Sequence, residues 1–409
     1  ETLPQWINTG FNKLKDFFNP ETIAIIGASE DKTKVGGILL EKAKKSRAKI
    51  IPINPKHKIL QNIQSYSSIS QTSEKIDLVV IAIPAKFILK TIDDCHKKKI
   101  KNIIIISAGF AEEKNFKLQE ELTKKIDKYK INLLGPNCFG IFNPKLNLDL
   151  TFAKTTPKKG NIAFISQSGA LWSYISDLNK KFSGFISLGN MSDLDFSDWI
   201  EYFNKDKSTK KIILYIEKLK EGKRFIKICK KSKKEIIVIK AGKSEQGKQA
   251  TISHTASIAT DYKIYKGSFK QAKIKQVKSL QEAFNLKSQK ISLNHKETTI
   301  ITNAGGAGAL LTDTLIQQEQ KIIGPKDILG TAKETDYKRE LSKLEKKNYQ
   351  GNIGIILTPQ TMSNPKKTAE IISQSKLKKN IIAFFLGKKS IKQAVKVLNK
   401  NKIKTITKI

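Results

Sequence analysis

Short, nearly continuous apolar runs alternate with lysine-rich amphipathic segments along the first third of the chain. The runs are "TIAIIGAS" (22–29), "KIIPINP" (49–55), "DLVVIAIPA" (77–85), "NIIIISAGF" (102–110) and "INLLGPNCFG" (131–140). Runs without polar alternation predict strands buried on both faces. With helices between them, they predict a doubly wound parallel sheet. A polar stretch with Pro157 and Gly160, "TFAKTTPKKG" (151–160), predicts a linker. The pattern then restarts with "NIAFISQSGA", "GFISLGN", "KIILYIEKLK" and "EIIVIKAGK". After the lysine-rich "LKSQKISLNHKE" it restarts again with "TTIITNAGGAGALLTDTL", "NIGIILTPQ" and "NIIAFFLG". Boundaries near 150–160 and 290–297 give three α/β units, over 1–150, 160–290 and 297–409.

Composition supports this division. A chain of 409 residues exceeds one compact core, and 39% hydrophobic with 28% charged residues describes a globular protein. Three cysteines without metal-ligand spacing argue for a reducing, cytoplasmic setting rather than a disulfide framework. No apolar run approaches the roughly 20 residues of a membrane span, and the opening residues lack a signal-peptide core. The first residue is Glu rather than Met, which leads us to expect a fragment.

The net charge of +39 raises nucleic acid as a partner, yet only three of the 76 basic residues are arginine. The lysines are scattered and not interleaved with aromatics, unlike a base-reading face, so no nucleic-acid partner is expected. A positive potential still attracts phosphorylated anions and an acidic partner subunit.

Ligands of open α/β sheets bind outside the carboxyl ends of the strands. "IAIIGASEDKTKVGG" has that form: a strand, a turn at Gly27, Ala28 and Ser29, and a helix opening at Lys34, Val35 and Gly36. Its backbone N–H groups can face a phosphate, or it is a plain strand-to-helix turn. At the second strand end an NAD site wants an acid, whereas this chain has Asn54, Pro55, Lys56, His57 and Lys58. Basic residues there suit a ribose bearing an extra phosphate, as in NADP or coenzyme A.

In the second unit, Ser166, Gln167, Ser168 and Gly169 stand at a strand-to-helix junction, as a phosphate cradle or as simple helix caps. Asn303, Gly305, Gly306 and Gly308 could serve a ligand or merely let a helix approach its sheet, and we assign no site there. Of the four histidines, His96 falls at a helix end and His295 in a linker, while His57 adjoins the basic turn. His254 lies in a glycine-bounded loop, "GKSEQGKQATISHTASIAT". Glu217, ending "IILYIE", matters if it faces His254, because a carboxylate on one ring nitrogen leaves the other free as nucleophile.

Taken together, these stretches resemble the NDP-forming acyl-CoA synthetases, and within them the α subunits of the acetate type related to succinyl-CoA synthetase. The matching motifs run in family order from about residue 14: "FFNPETIAIIGAS", "PINPKHKILQNIQSYSSI", "DLVVIAIPA", "IISAGFAE", "LLGPNCFGIFNP", "GNIAFISQSGAL", "SLGNMSDLDFSDWIEYF", "YIEKLKEGKRF", "IKAGKSEQGKQATISHTAS" and "TNAGGAGALLTD". The resemblance implies a Rossmann-like CoA-binding domain followed by two flavodoxin-like domains. It implies coenzyme A rather than NADP at the basic strand end.

Residue by residue, Gly27, Ala28, Ser29, Lys34, Val35 and Gly36 match the first CoA-binding turn. Asn54, Pro55 and Lys56 match the second. Ile83, Pro84, Ala85, Ser107, Ala108, Gly109, Asn137 and Cys138 match the pocket lining, and Ser166, Gln167, Ser168 and Gly169 match the phosphate loop. His254 matches the phosphorylated histidine and Glu217 its orienting carboxylate. The implied reaction interconverts acyl-CoA, ADP and phosphate with a short organic acid, CoA and ATP.

"AGKSEQGK" lacks the first glycine of a P-loop. With no such loop and nothing like an ATP-grasp domain in the sequence, the resemblance implies ADP or ATP and Mg²⁺ on a separate ATP-grasp β subunit, in an α2β2 heterotetramer. An alternative is a CoA-binding regulatory or acyltransferase-associated module without ligase activity. Two departures stand out: Ala256 where the acetate type usually has Gly, and an end at "KIKTITKI" that leads us to expect a shortened third domain.

Overall fold

The computed structural model describes residues 14–255, 261–287 and 289–409. The first unit comprises β1 (Thr22–Ile26), α1 (Val35–Ala43), β2 (Lys49–Ile53), β3 (Leu78–Ile81), α2 (Ile88–Lys97), β4 (Asn102–Ile105), α3 (Phe116–Tyr129) and β5 (Asn132–Leu134). Its strands are all parallel, in the order β2-β1-β3-β4-β5. The order reverses between β1 and β3, which places a ligand crevice at their carboxyl ends.

The second unit opens with β6 (Ile141–Asn143) and β7 (Leu148–Asp149), then β8 (Lys158–Ser166), α4 (Ala170–Ser176), β9 (Lys181–Ser187), α5 (Phe196–Lys205) and β10 (Lys211–Ile216). It continues with α6 (Gly222–Lys230), β11 (Glu235–Lys240), α7 (Glu245–Thr255), α8 (Tyr262–Gln271) and β12 (Lys275–Val277). The sheet order is β12-β11-β10-β8-β9-β6-β7, parallel except for β6 and β7, which add antiparallel at one edge.

The third unit holds β13 (Glu297–Thr302), α9 (Gly305–Ile316), β14 (Lys321–Asp327), α10 (Glu334–Lys346), β15 (Asn352–Leu357), α11 (Pro365–Gln374), β16 (Ile381–Phe385), α12 (Lys392–Lys400) and β17 (Lys404–Ile406). Its order, β14-β13-β15-β16-β17, repeats that of the first unit, again all parallel.

The isoleucine-rich strands are buried on both faces, as their lack of alternation predicts. The units share their cores. Leu39, Val80 and Ile104 of the first pack in one cluster with Ile165, Trp199 and Ile212 of the second. Phe164, Trp172 and Ile213 of the second join Ile300, Leu310 and Ile356 of the third. The expected linker is itself packed: Thr151 is buried, and the Thr361 N–H donates to the Phe152 carbonyl at 3.2 Å. Three sheets thus stack through two shared apolar layers, which fixes the position of each strand end relative to the others.

One local expectation is corrected. Glu245–Thr255, read from its glycines and hydroxyls as a loop, forms a helix, α7. Ser244 supplies the reason, since its Oγ accepts the Gly247 N–H at 3.0 Å in the manner of an N-cap. Eleven residues with a single interior glycine can then propagate the helix. His254 falls in its last turn; its side chain, and Ala256 altogether, lie outside the described residues.

Candidate active site at the meeting of three units

At the switch point of the first sheet the chain leaves β1 through Gly27, whose φ of +89° favours glycine. A Cβ there would lie 2.4 Å from the Ala82 carbonyl oxygen. Gly36, in the first turn of α1, packs equally close, since a Cβ would stand 1.9 Å from the Gly27 oxygen. Lys34 is the N-cap residue of α1, and no side chain caps that helix. The Gly37 and Ile38 N–H groups donate to the Lys34 carbonyl at 3.0 and 2.9 Å, which leaves those of Val35 and Gly36, among the described residues, for solvent or a ligand.

Asn54 joins the two turns. Its amide donates to the Ala28 carbonyl at 2.8 Å and accepts the Lys56 N–H at 2.8 Å. Gln61 donates to the Ser29 carbonyl at 3.1 Å. Pro55, Lys56, His57 and Lys58 are exposed around this rim.

A cavity of about 740 Å³ runs from this switch point into the interior of the molecule. Val35, Ile83, Pro84, Ser107, Ala108, Asn137 and Cys138 line its first-unit side. Gln167, Ser168, Gly169 and Glu217 line its second-unit side. Gly27, Ala28, Ser29, Lys34, Gly36, Asn54, Pro55, Lys56, Ala85, Gly109 and Ser166 stand outside this lining, mostly as the frame that shapes it. Ser107 Oγ donates to the Ile83 carbonyl at 2.5 Å, and the Asn137 N–H to the Ser107 carbonyl at 2.9 Å. The Gly109 N–H donates to Glu112 at 2.7 Å. Cys138 is a wall residue without nucleophilic character: burial pushes its thiol up to about 12, and Sγ contacts the Ile105 carbonyl at 3.2 Å.

The phosphate-loop residues follow β8. The N-cap position of α4 falls on Gly169, which has no side chain to cap with, and Ser166 Oγ donates to the Ser168 carbonyl at 2.7 Å. Gln167 is held in one orientation. Its Oε1 accepts the N–H groups of Glu217 and Lys218 at 2.6 and 2.8 Å, which forces Nε2 to the opposite side. That buried Nε2 has no hydrogen-bond partner among the described residues.

Glu217 is 7% exposed. Burial first, and the Glu217 carboxylate second, keep the Tyr215 phenol protonated far above its usual range. Burial also lowers Lys240, 3% exposed, to about 8, against the pull of Glu217 and Asp313.

The third unit contributes walls that its glycine turn alone did not announce. Asn303, Ala304, Gly305, Leu329, Gly330 and Gln360 line the same cavity. Gly306 and Gly308 serve packing: a Cβ at Gly306 would lie 2.4 Å from Ser168 Oγ, and one at Gly308 3.0 Å from Thr302. Phe139 and Phe152, with ring centroids 3.7 Å apart and planes tilted by 35°, also face the cavity; Phe139 follows Cys138 in its motif, whereas Phe152 carries no local motif that would have singled it out. Among the described residues no group of three or more His, Cys, Asp or Glu could hold a metal ion, and no helix is long and apolar enough to cross a membrane.

A glycine-turn crevice at the switch point of one α/β unit opens onto a second, and comparison with known proteins gives the class. A family described as "CoA binding domain" matches residues 21–144, and "Succinyl-CoA ligase like flavodoxin domain" matches 159–288. The α subunit of "Acetate--CoA ligase [ADP-forming] II" of Pyrococcus furiosus is 36% identical over 95% of this chain and 93% of its own length. "Acetate--CoA ligase [ADP-forming]" of Methanocaldococcus jannaschii is 39% identical over 86% of this chain, which spans 49% of that protein. A solved structure of the dinucleotide forming acetyl-coenzyme A synthetase 1 of Ca. Korarchaeum cryptofilum, in complex with phosphate and ADP, superposes with a TM-score of 0.64. It is 31% identical, over 97% of this chain and 93% of that one. The chain belongs to the ADP-forming acetate–CoA ligase family.

Proposed function

We propose that the chain is the α subunit of an ADP-forming acyl-CoA ligase. It interconverts acyl-CoA, phosphate and ADP with a short organic acid, CoA and ATP. The observation that carries this reading is the single cavity joining the first unit's crevice to Gln167–Gly169 and Glu217.

CoA lies over Gly27–Ser29 and the N-terminus of α1, with its ribose phosphate toward Lys56 and its thiol end past Ile83, Ser107 and Asn137. A phosphate oxygen attacks the thioester carbonyl carbon, the C–S bond breaks, and CoA leaves as the thiolate. Backbone N–H groups of Ser168 and Gly169 and the free Gln167 Nε2 hold the phosphoryl oxygens by preorganised donors. A ring nitrogen of His254 then attacks phosphorus and releases the free acid. Glu217 holds the imidazole in the tautomer that exposes that nitrogen. In the last step an ADP oxygen takes the phosphoryl group from His254. Covalent catalysis of this kind divides one difficult transfer into two in-line displacements.

The partner subunit, of which relatives' designation as α subunits already speaks, is an ATP-grasp β subunit. It brings the nucleotide and Mg²⁺ in an α2β2 assembly. Incubation with that subunit, Mg²⁺ and γ-labelled ATP should leave acid-labile, base-stable label on the wild-type chain. His254→Ala should abolish the label and lower turnover at least about 1000-fold. Equal labelling of both proteins rules the reading out.

A further inference from the structure

We propose that Asp313, on the third unit, is a positioning residue for the helix that carries His254; this rests on the phosphohistidine reading above. Helix α7 begins at a turn after β11, and the first donors of that turn are taken by one carboxylate from another unit. Asp313 Oδ1 accepts the Ser244 N–H at 2.9 Å, the Ser244 hydroxyl at 2.7 Å and the Lys243 N–H at 3.1 Å. Its Oδ2 accepts the Lys243 N–H at 3.0 Å. Asp313 is 5% exposed, so these bonds form away from competing water. Ser244 in turn accepts the Gly247 N–H, which couples the clamp directly to the first turn of the helix.

Gly247 is shaped by the same contact, since any Cβ there would meet Asp313 Oδ1 at 2.1 Å. An anion at a helix N-terminus is favoured by the aligned peptide dipoles, and its bonds to N–H groups are strengthened by its charge. The helix is therefore held at its base, while His254 stands in its last turn.

Geometry makes that base consequential. His254 lies ten positions after Ser244, about 15 Å of helix at 1.5 Å per residue. A tilt of about 10° at the clamp moves the far end by about 2.6 Å at that rise. In-line transfer tolerates far less, because misplacement by about 1 Å can cost about 100-fold in rate. Asp313→Asn keeps the shape but removes the charge and sets an amide N–H₂ in place of one acceptor oxygen, against a backbone donor, so the clamp is weakened without leaving a hole. The third unit thus governs the direction in which the phosphoryl carrier points.

The test uses the full chain with its nucleotide-binding partner. Asp177 supplies a control, because it ties the second unit to the third in the same style. It accepts the Lys388 N–H at 2.7 Å and the Ser390 N–H at 3.0 Å, without touching α7. Asp313→Asn should lower the rate of His254 labelling and the kcat of the overall reaction about 10- to 100-fold, with KM for CoA in the overall reaction within about two-fold. Amide exchange should accelerate in 245–251 alone. Gly247→Ala, which drives a methyl against the same oxygen, should reproduce both effects, and Asp177→Asn neither.

A wild-type labelling rate in Asp313→Asn overturns the proposal. So does an equal loss in Asp177→Asn, or exchange that rises across the whole third unit. If the wild-type chain is labelled normally, those failures concern Asp313 alone. If the wild-type chain takes no label at His254, the phosphohistidine reading fails and this inference goes with it.

Discussion

The first and third units share one strand order, yet their switch points are built in opposite ways. In the first, the residue after β1 is Gly27 and the residue after β3 is Ala82, so the two strand ends meet backbone to backbone with no polar side chain between them. In the third, the corresponding residues are Asn303 and Thr358. Asn303 Nδ2 donates to the Thr358 carbonyl at 3.0 Å, and its Oδ1 accepts the Thr358 N–H at 2.8 Å and hydroxyl at 3.2 Å. One switch point has no side-chain bridge, and the other is bridged by Asn303, which presents that end as a wall of the shared cavity. A shared fold therefore says little about function; the residue at one strand end says much more.

Three further measurements bear on that contrast. The largest effect is expected from Gly27→Ala. The methyl meets the Ala82 oxygen, and φ at +89° disfavours any side chain, a cost of about 1–3 kcal/mol. Because the strain falls on the ligand turn itself, CoA affinity measured calorimetrically should drop at least about 10-fold. An unchanged affinity removes the open switch point from the CoA site.

Asn303→Ala should do the reverse. Buried Thr358 groups lose their partners, and the urea unfolding free energy should fall by about 1–3 kcal/mol. CoA affinity should shift by less than about three-fold. A drop in affinity like that of Gly27→Ala would show that the third unit's crevice also holds ligand.

The third measurement concerns charge. The first unit leaves Lys56 and Lys58 in water, whereas Lys240 is buried beside Glu217 and Asp313. In the native chain Lys240 gives up its proton near pH 8, while in the unfolded chain it keeps it to its ordinary 10.5. Between those values the unfolded chain binds more protons, so raising the pH through this window favours the native state. The gain is about 3 kcal/mol at most. Unfolding of wild type and Lys240→Met at pH 7.5 and 10 should show the wild type gaining on the variant. A constant difference would mean that Lys240 is not desolvated.

Much of this architecture was legible in the residues. Runs such as "DLVVIAIPA" and "NIIIISAGF" became central strands because isoleucine and valine without alternation can be satisfied only by burial on both faces. Gly27 was legible as a tight turn after a strand, and its φ of +89° agrees, but the sequence left a ligand turn and a plain strand-to-helix turn equally open. The segment around His254 was misread as a loop. Its helix depends on Ser244 acting as a cap, and Ser244 is fixed by Asp313, which lies 69 residues away in sequence. Phe152 and Gln360 could not be found locally either; each is an ordinary residue until another unit closes against it.

Local pattern determined the strands, the glycine turns and the order of the three α/β units, because periodicity and backbone freedom act over a few residues. Only the tertiary structure decided which strand ends share a cavity, why Gly247 tolerates no side chain, and which unit holds the helix of His254. Those outcomes depend on the close packing of surfaces far apart in the chain, where a single methyl or carboxylate oxygen sets what fits.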